Sequence, residues 1–183
     1  GGAFTVTGTS IGKIARWNRE VIVTEKIDGT NAQIFVNDEG TDFRVGSRNQ
    51  WITTEADNFG FARWCADNRD ELLKLGPGRH FGEWWGSGIQ RGYGLTKGEK
   101  RFSLFNVSKW GESRPACCHV VPVLWRGLAE SLDIHALLAV LSDRGSWVAP
   151  GFMKPEGVIV FHVAASALFK ATLGGDGHKG GAQ

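Results

Sequence analysis

Apolar residues along this chain fall in short runs, many of them alternating with polar positions and bounded by glycine, aspartate and asparagine. That is a strand pattern. VIVTEK (21–26) and NAQIFV (31–36) read as two strands around an Asp28-Gly29 turn, and TDFRVGSR (41–48) continues as a third, giving a β-meander. Thr54 with Asp57 three residues on reads as a capping box. Phe61, Trp64, Cys65, Leu72 and Leu75 then share one helical face, so a helix is predicted up to Gly76-Pro77-Gly78. HFGEWWG (80–86) and KRFSLFNVSKW (100–110) read as strands flanking a mobile glycine-rich loop, GSGIQRGYG (86–94). Ile134, Leu137, Leu138 and Leu141 repeat at i, i+3, i+4 and i+7, predicting a second helix that closes near Gly145. PEGVIVFHV (155–163) is a continuous apolar run, the mark of a buried strand. The class these elements predict is α+β, a twisted, mostly antiparallel sheet system with flanking helices.

Composition narrows the field without deciding it. With 183 residues, 42% hydrophobic and 22% charged, the chain can bury a substantial core, and one domain over 1–173 is expected, followed by a disordered glycine-rich tail at 174–183. A net charge of +2 is too mild to announce a nucleic-acid binder, so any basic groove must be local. Arg44 and Arg48, then Arg91, Lys97, Lys100 and Arg101, are the places to look. Cys65, Cys117 and Cys118 make neither an even disulfide set nor zinc half-sites, and they read as free thiols of a reducing compartment. No apolar run reaches membrane-span length and the start GGAFTVTG does not look like a signal peptide, so the expected compartment is the cytoplasm, away from membranes.

Two nucleotide motifs fail on inspection. GTSIGK (8–13) has too few residues between its glycines for a phosphate loop, and Ile14 stands where Ser or Thr should bind magnesium. Gly86, Gly88 and Gly92 do not match the dinucleotide fingerprint in spacing or in strand-helix context.

What does carry chemistry is an ordered series: EKIDGTN (25–31), GSRN (46–49), FGEWWG (81–86), RFSLFNV (101–107), PEGVIV (155–160) and FKAT (169–172). EKIDGTN alone reads equally as a hairpin, with Asp-Gly supplying the positive backbone dihedrals. In its order the series resembles the collinear motifs of the covalent nucleotidyltransferases, the superfamily of DNA ligases, RNA ligases and mRNA capping enzymes.

The resemblance implies a nucleotidyltransferase (ATP-grasp-like) adenylation domain, with ATP and Mg2+ or Mn2+ as cofactors. Lys26 is the implied nucleophile that forms lysyl-AMP, and Lys170 a second catalytic cation that neutralises the α-phosphate. Asp28 and Glu156 are the implied metal carboxylates, Glu156 also lying near the phosphates. For the nucleotide, the implied contacts are Glu25 at the adenine edge, Arg48, Glu83 at the ribose, and Phe105 stacking on the base, with Phe102 the second choice for that role. Trp84 and Trp85 read as core and groove wall.

Asn31, five residues after the lysine, matches type-two RNA ligases, where DNA ligases and capping enzymes commonly carry Arg. The implied function is an ATP-dependent RNA ligase core that seals 5′-phosphate and 3′-hydroxyl ends in RNA repair, with RNA rather than DNA as partner. A DNA ligase or guanylyltransferase core, and a non-catalytic nucleotide- or RNA-binding module, remain alternatives. Two departures bear on them. Ala171 and Thr172 follow Lys170 where the family's last motif commonly has a second lysine, and eleven residues follow Thr172, which leads to the expectation of a minimal core that depends for grip on a protein partner supplying a clamp or on local basic residues.

Overall fold

The structure is a computed structural model that describes residues 4–8 and 17–174. In chain order its strands are β1 (Phe4–Gly8), β2 (Glu20–Lys26), β3 (Thr30–Val36), β4 (Phe43–Gly46), β5 (Trp51–Ile52), β6 (Gly78–Gly86), β7 (Lys100–Leu104), β8 (His119–Val120), β9 (Val123–Leu128), β10 (Gly157–His162) and β11 (Ala167–Leu173). The helices are α1 (Phe61–Asp67), α2 (Arg69–Leu73), α3 (Val107–Trp110) and α4 (Ile134–Arg144). The predicted α+β class holds. Residues 9–13 of the rejected phosphate-loop lookalike, and the tail from 175 on, lie outside the described residues. No helix among the described residues is long and apolar enough to cross a membrane.

The chain divides into two compact units, one built from both chain ends up to Ile27 and from Pro122, the other from Asp28–Val121. The first holds a five-stranded sheet in the order β1-β11-β10-β2-β9, antiparallel throughout. Alternation sends Val21 and Val23 of β2, Val158 and Val160 of β10, and Phe169 and Ala171 of β11 into a core shared with Leu138 and Leu141 of α4. Asp133 caps α4 by accepting from Ala136 N at 2.9 Å, and Gly145, at φ 87°, ends it as predicted.

The second unit holds a six-stranded sheet in the order β5-β4-β3-β6-β7-β8, antiparallel except for the parallel β7–β8 pair. Ala32, Ile34 and Val36 of β3, with Trp84, Phe102 and Leu104, pack against Phe61, Cys65 and Leu72 of α1 and α2. Phe102, the second choice for base stacking, is fully buried there, its ring 5.2 Å from that of Phe61. It is core.

Four other expectations change. The helix predicted through Leu75 is two short helices broken at Asn68. Its start is held not by a Thr54–Asp57 box but by Asp57 alone, which accepts from Ala62 N at 2.7 Å and Arg63 N at 3.0 Å. The strand expected over 100–110 ends at Leu104, and Asn106 caps the single turn of α3. The glycine-rich loop is packed rather than loose: Ile89 and Tyr93 are buried, Tyr93 at φ 54° and with its ring edge-on to Trp85.

The fourth concerns the lysine motif. β2 pairs with β9 and β10, whereas β3 pairs with β4 and β6, so EKIDGTN is not a hairpin but a passage between two sheets. Neither Asp28 nor Gly29 takes a positive φ. Gly29 is required for close approach instead, since a Cβ there would lie 2.4 Å from Trp84 O and 2.8 Å from Trp85 Cβ. Gly29→Ala should therefore cost about 1–3 kcal/mol, the usual penalty of overpacking, read as a lowered midpoint of urea unfolding. An unchanged midpoint would mean that the passage can move away from β6.

Candidate active site

In the first unit the antiparallel register sets Lys26 opposite Gly157 and Gly157 opposite Thr172, while Ile159 stands opposite Lys170. Residues directly across a ladder share a face, as do residues two apart on a strand. Lys26, Lys170 and Thr172 therefore stand on one face, opposite the α4 core. Thr172 occupies the position of the missing second lysine, in line with Lys26. The Lys26 ammonium lies 2.7 Å from Glu156 Oε1, and Glu156 is 7% exposed. Its other oxygen, Oε2, is buried with no hydrogen-bond partner among the described residues. A buried carboxylate oxygen without a donor is expensive, and it calls for a partner such as a water, an ion or a ligand group.

Glu25 points the other way. Successive side chains on a strand alternate, so the residue before the lysine faces the core. There Oε2 accepts from the Ser146 hydroxyl at 2.6 Å, and Oε1 from Trp147 N at 2.7 Å and Val148 N at 3.0 Å. The carboxylate thus holds the turn that follows α4. Burial pushes its pKa above the ordinary range, and the bonds from Ser146, Val148 and Trp147 oppose that rise.

In the second unit Asp28 Oδ2 lies 3.2 Å from Arg91 Nε, and Asp28 N donates to the Tyr93 hydroxyl at 2.8 Å. Glu83 Oε2 accepts from Gly29 N at 2.9 Å. Asn31 stands opposite Glu83 across the β3–β6 ladder. With its amide oxygen turned toward Arg48, Asn31 accepts from that guanidinium at Nε, 3.2 Å away, and at Nη2. Phe105, half-buried just past β7, is left out of the core that takes Phe102, and its N–H donates to Phe81 O at 3.0 Å. Trp84 and Trp85 are core, each indole N–H satisfied, by Phe59 O and Ser103 Oγ respectively.

The predicted residues thus fall into two sets by unit: Glu25, Lys26, Glu156 and Lys170 in one, Asp28, Asn31, Arg48, Glu83 and Phe105 in the other. A model of the RNA ligase family matches residues 19–172, spanning every one of them. The chain belongs to the RNA ligase family. No curated protein sequence matches it. Among solved structures it shares the fold of the RNA ligase of Naegleria gruberi. The form with PPi gives a TM-score of 0.64 at 20% identity, over 91% of this chain and 53% of that one. A mutant form with ATP and Mn gives 0.64 at 20%, over 85% and 50%. A mutant form with AMP and Mn gives 0.60 at 21%, again over 85% and 50%. The chain spans about half the length of these ligases.

Within this RNA ligase fold, two residues that touch the predicted site escaped sequence reading, and a third was read for another task. Tyr93 came out as part of a loose loop, although a lone tyrosine interleaved with glycines was a usable signal, and Arg91, a candidate for a basic groove, pairs with Asp28. Ser146 had none, because its partner Glu25 is 121 residues away. The Glu25 contacts carry a pH consequence. A carboxyl whose folded pKa is raised keeps its proton in the native state after the unfolded chain has lost its own. Stability should fall as pH rises through the window between the ordinary carboxylate value and the raised one. Glu25→Gln should flatten that stretch of the stability curve in urea titrations, and Ser146→Ala should cost about 1–3 kcal/mol by removing a donor from a buried charge. A wild-type curve already flat there would contradict the first expectation.

Proposed function

We propose that residues 1–173 are the nucleotidyltransferase core of an ATP-dependent RNA ligase, ATP-grasp-like in fold, which adenylates itself on Lys26 and seals 5′-phosphate and 3′-hydroxyl RNA ends. Family membership supports the reading, and the observation that carries it is the Lys26–Glu156 pair. An ammonium is no nucleophile, and Glu156 Oε1, 2.7 Å from Nζ, is within reach to take its proton. The free amine then attacks the α-phosphorus of ATP, the P–N bond forms, and pyrophosphate leaves with the electron pair of the broken P–O bond. AMP passes from Lys26 to the RNA 5′-phosphate, and the 3′-hydroxyl displaces it. Lys170, on the face of Lys26, supplies positive charge to the α-phosphate.

A divalent cation suits the donors present. Mg2+ and Mn2+ bind hard oxygens, and Mg2+ takes few protein carboxylates beside substrate phosphates; Glu156, with its unpartnered Oε2, and Asp28 are the residues that would hold it. When bound, the ion would offset the phosphate charge. For the nucleotide, Arg48 with Asn31, Glu83 and Phe105 are the contacts we assign; Glu25, expected at the adenine edge, faces the core with both oxygens bonded and acts instead by holding the 146–148 turn. A protein partner supplying a clamp and a cytoplasmic site of action belong to the same reading.

Incubation with ATP and Mg2+ or Mn2+ should add one AMP to the intact mass. Lys26→Ala should abolish the adduct, and Glu156→Gln should slow its formation about a hundredfold or more. No adduct on the wild type, or an undiminished one on Lys26→Ala, would overturn the proposal. Thr172 in the place of a second lysine favours one rival, a nucleotide-binding module without turnover, which would bind ATP and release no pyrophosphate. Comparing ATP with GTP, and nicked RNA with nicked DNA, tests the DNA ligase and guanylyltransferase readings.

A further inference from the structure

The six-stranded sheet has a second face, away from α1 and α2, and its far half carries a group of aromatic and basic residues with no part in the site above. Alternation along β3 puts Asn31, Gln33 and Phe35 on that face. The ladders then place Arg44 and Arg79 on either side of Phe35, and Phe81 beside Gln33. Trp51 stands opposite Gly46, and a Cβ on Gly46 would meet Trp51 Cε3 at 3.2 Å and Gln33 Cγ at 3.4 Å. With no side chain at Gly46, the indole has room to lie close over the sheet. Arg44 stacks 4.4 Å from its centroid, Arg79 lies 5.6 Å from it and 5.2 Å from the Phe35 ring, and Phe35 meets it edge-on at 6.4 Å.

The charge on this strip is not spent inside the protein. Arg69, Arg91 and Arg101 each pair with a carboxylate, on Asp42, Asp28 and Glu99. Among the described residues, Arg44 and Arg79 enter no ion pair; Arg79 donates to Gln33 Oε1 at 3.2 Å. Guanidinium groups stacked on rings keep their charge and most of their donors for a ligand. Trp51 is 41% exposed and Phe81 51%. Paired aromatic faces with unneutralised arginines beside them match a chain that alternates flat bases with phosphates. The strip also runs along β3 toward Asn31, which lies about 13 Å from Phe35 at the usual rise per residue.

We propose that this strip is a docking surface for single-stranded RNA, with bases stacking on Trp51 and Phe81 and phosphates on Arg44 and Arg79. RNA as the occupant rests on the ligase reading; the charge and the rings come from the sheet itself. Binding of a fluorescein-labelled single-stranded RNA is measured by anisotropy across a salt series, without ATP. Arg44→Ala/Arg79→Ala should bind tenfold or more weakly, and its slope of log affinity against log salt should be shallower by about 1.4, two phosphate contacts' worth. Trp51→Ala should lose about five- to a hundredfold and Trp51→Phe should recover most of it. Uptake of AMP from ATP and Mn2+ should stay within about twofold of wild type in all three variants, their fold checked by circular dichroism. RNA affinity unchanged in the arginine or the Trp51→Ala variant overturns the proposal. So does a wild type that ignores RNA but binds an acidic peptide. A wild type that takes up no AMP while the variants still lose RNA sinks the ligase reading and leaves this surface standing.

Discussion

Three residues separate Lys26 from Thr30, and in that distance the chain leaves one sheet and enters another. Much of the site follows from this passage. Lys26 ends β2 beside Glu156, and Asp28 and Gly29 are already committed to Tyr93, Arg91 and Glu83. The passage is steric as much as polar, because only a residue without a side chain fits against the backbone of Trp84. A hairpin would have paired β2 with β3 and set the lysine and Asn31 on adjacent strands of one ladder. Here the two residues belong to different hydrogen-bonded systems.

The strand period then sorts neighbouring residues into different tasks. Glu25 and Lys26 are adjacent, yet one turns into the α4 core to hold the 146–148 turn and the other turns to Glu156 and the face of Lys170. The same rule works in the other sheet, where Ala32 and Ile34 feed the core while Asn31, Gln33 and Phe35 face away from it. One face of that sheet holds Asn31 and Glu83 and continues into the Arg44–Trp51–Arg79 group. Each unit packs its helices against one side of its sheet and sets its polar chemistry on the other, beside buried apolar residues such as Trp85 and Ile22. Of the buried carboxylates, Glu25 is bonded to three donors and Glu156 pairs with Lys26 through Oε1.

Much of this was legible beforehand. The strand runs, α4 with its Gly145 end, and the order of the motifs all rest on local patterns of period two or 3.6, which survive in any tertiary context. The choice of Lys26, Glu156 and Lys170 as a set came from order along the chain, and the register puts the two lysines on one face of one sheet. What misled was local chemistry with two solutions. Asp-Gly between apolar runs is a strong hairpin signal, and it lost here because Gly29 was needed for contact with β6 rather than for its backbone freedom. The apolar face from Phe61 to Leu75 was real, and the break at Asn68 left it intact in two pieces.

From sequence alone came the resemblance to the covalent nucleotidyltransferases through Lys26 and its trailing motifs, with Asn31 pointing to the RNA ligases, and the expectation that strands would carry them. Only the tertiary structure decided which strands pair, that Glu25 is a buried brace, that Phe102 is core and Phe105 is not, and that Arg91 and Tyr93 reach Asp28. The reason is range. Periodicity and capping act over a few residues, whereas a hydrogen bond from Ser146 to Glu25 or a guanidinium on Trp51 depends on strand register, and register is set by the burial of whole faces at once.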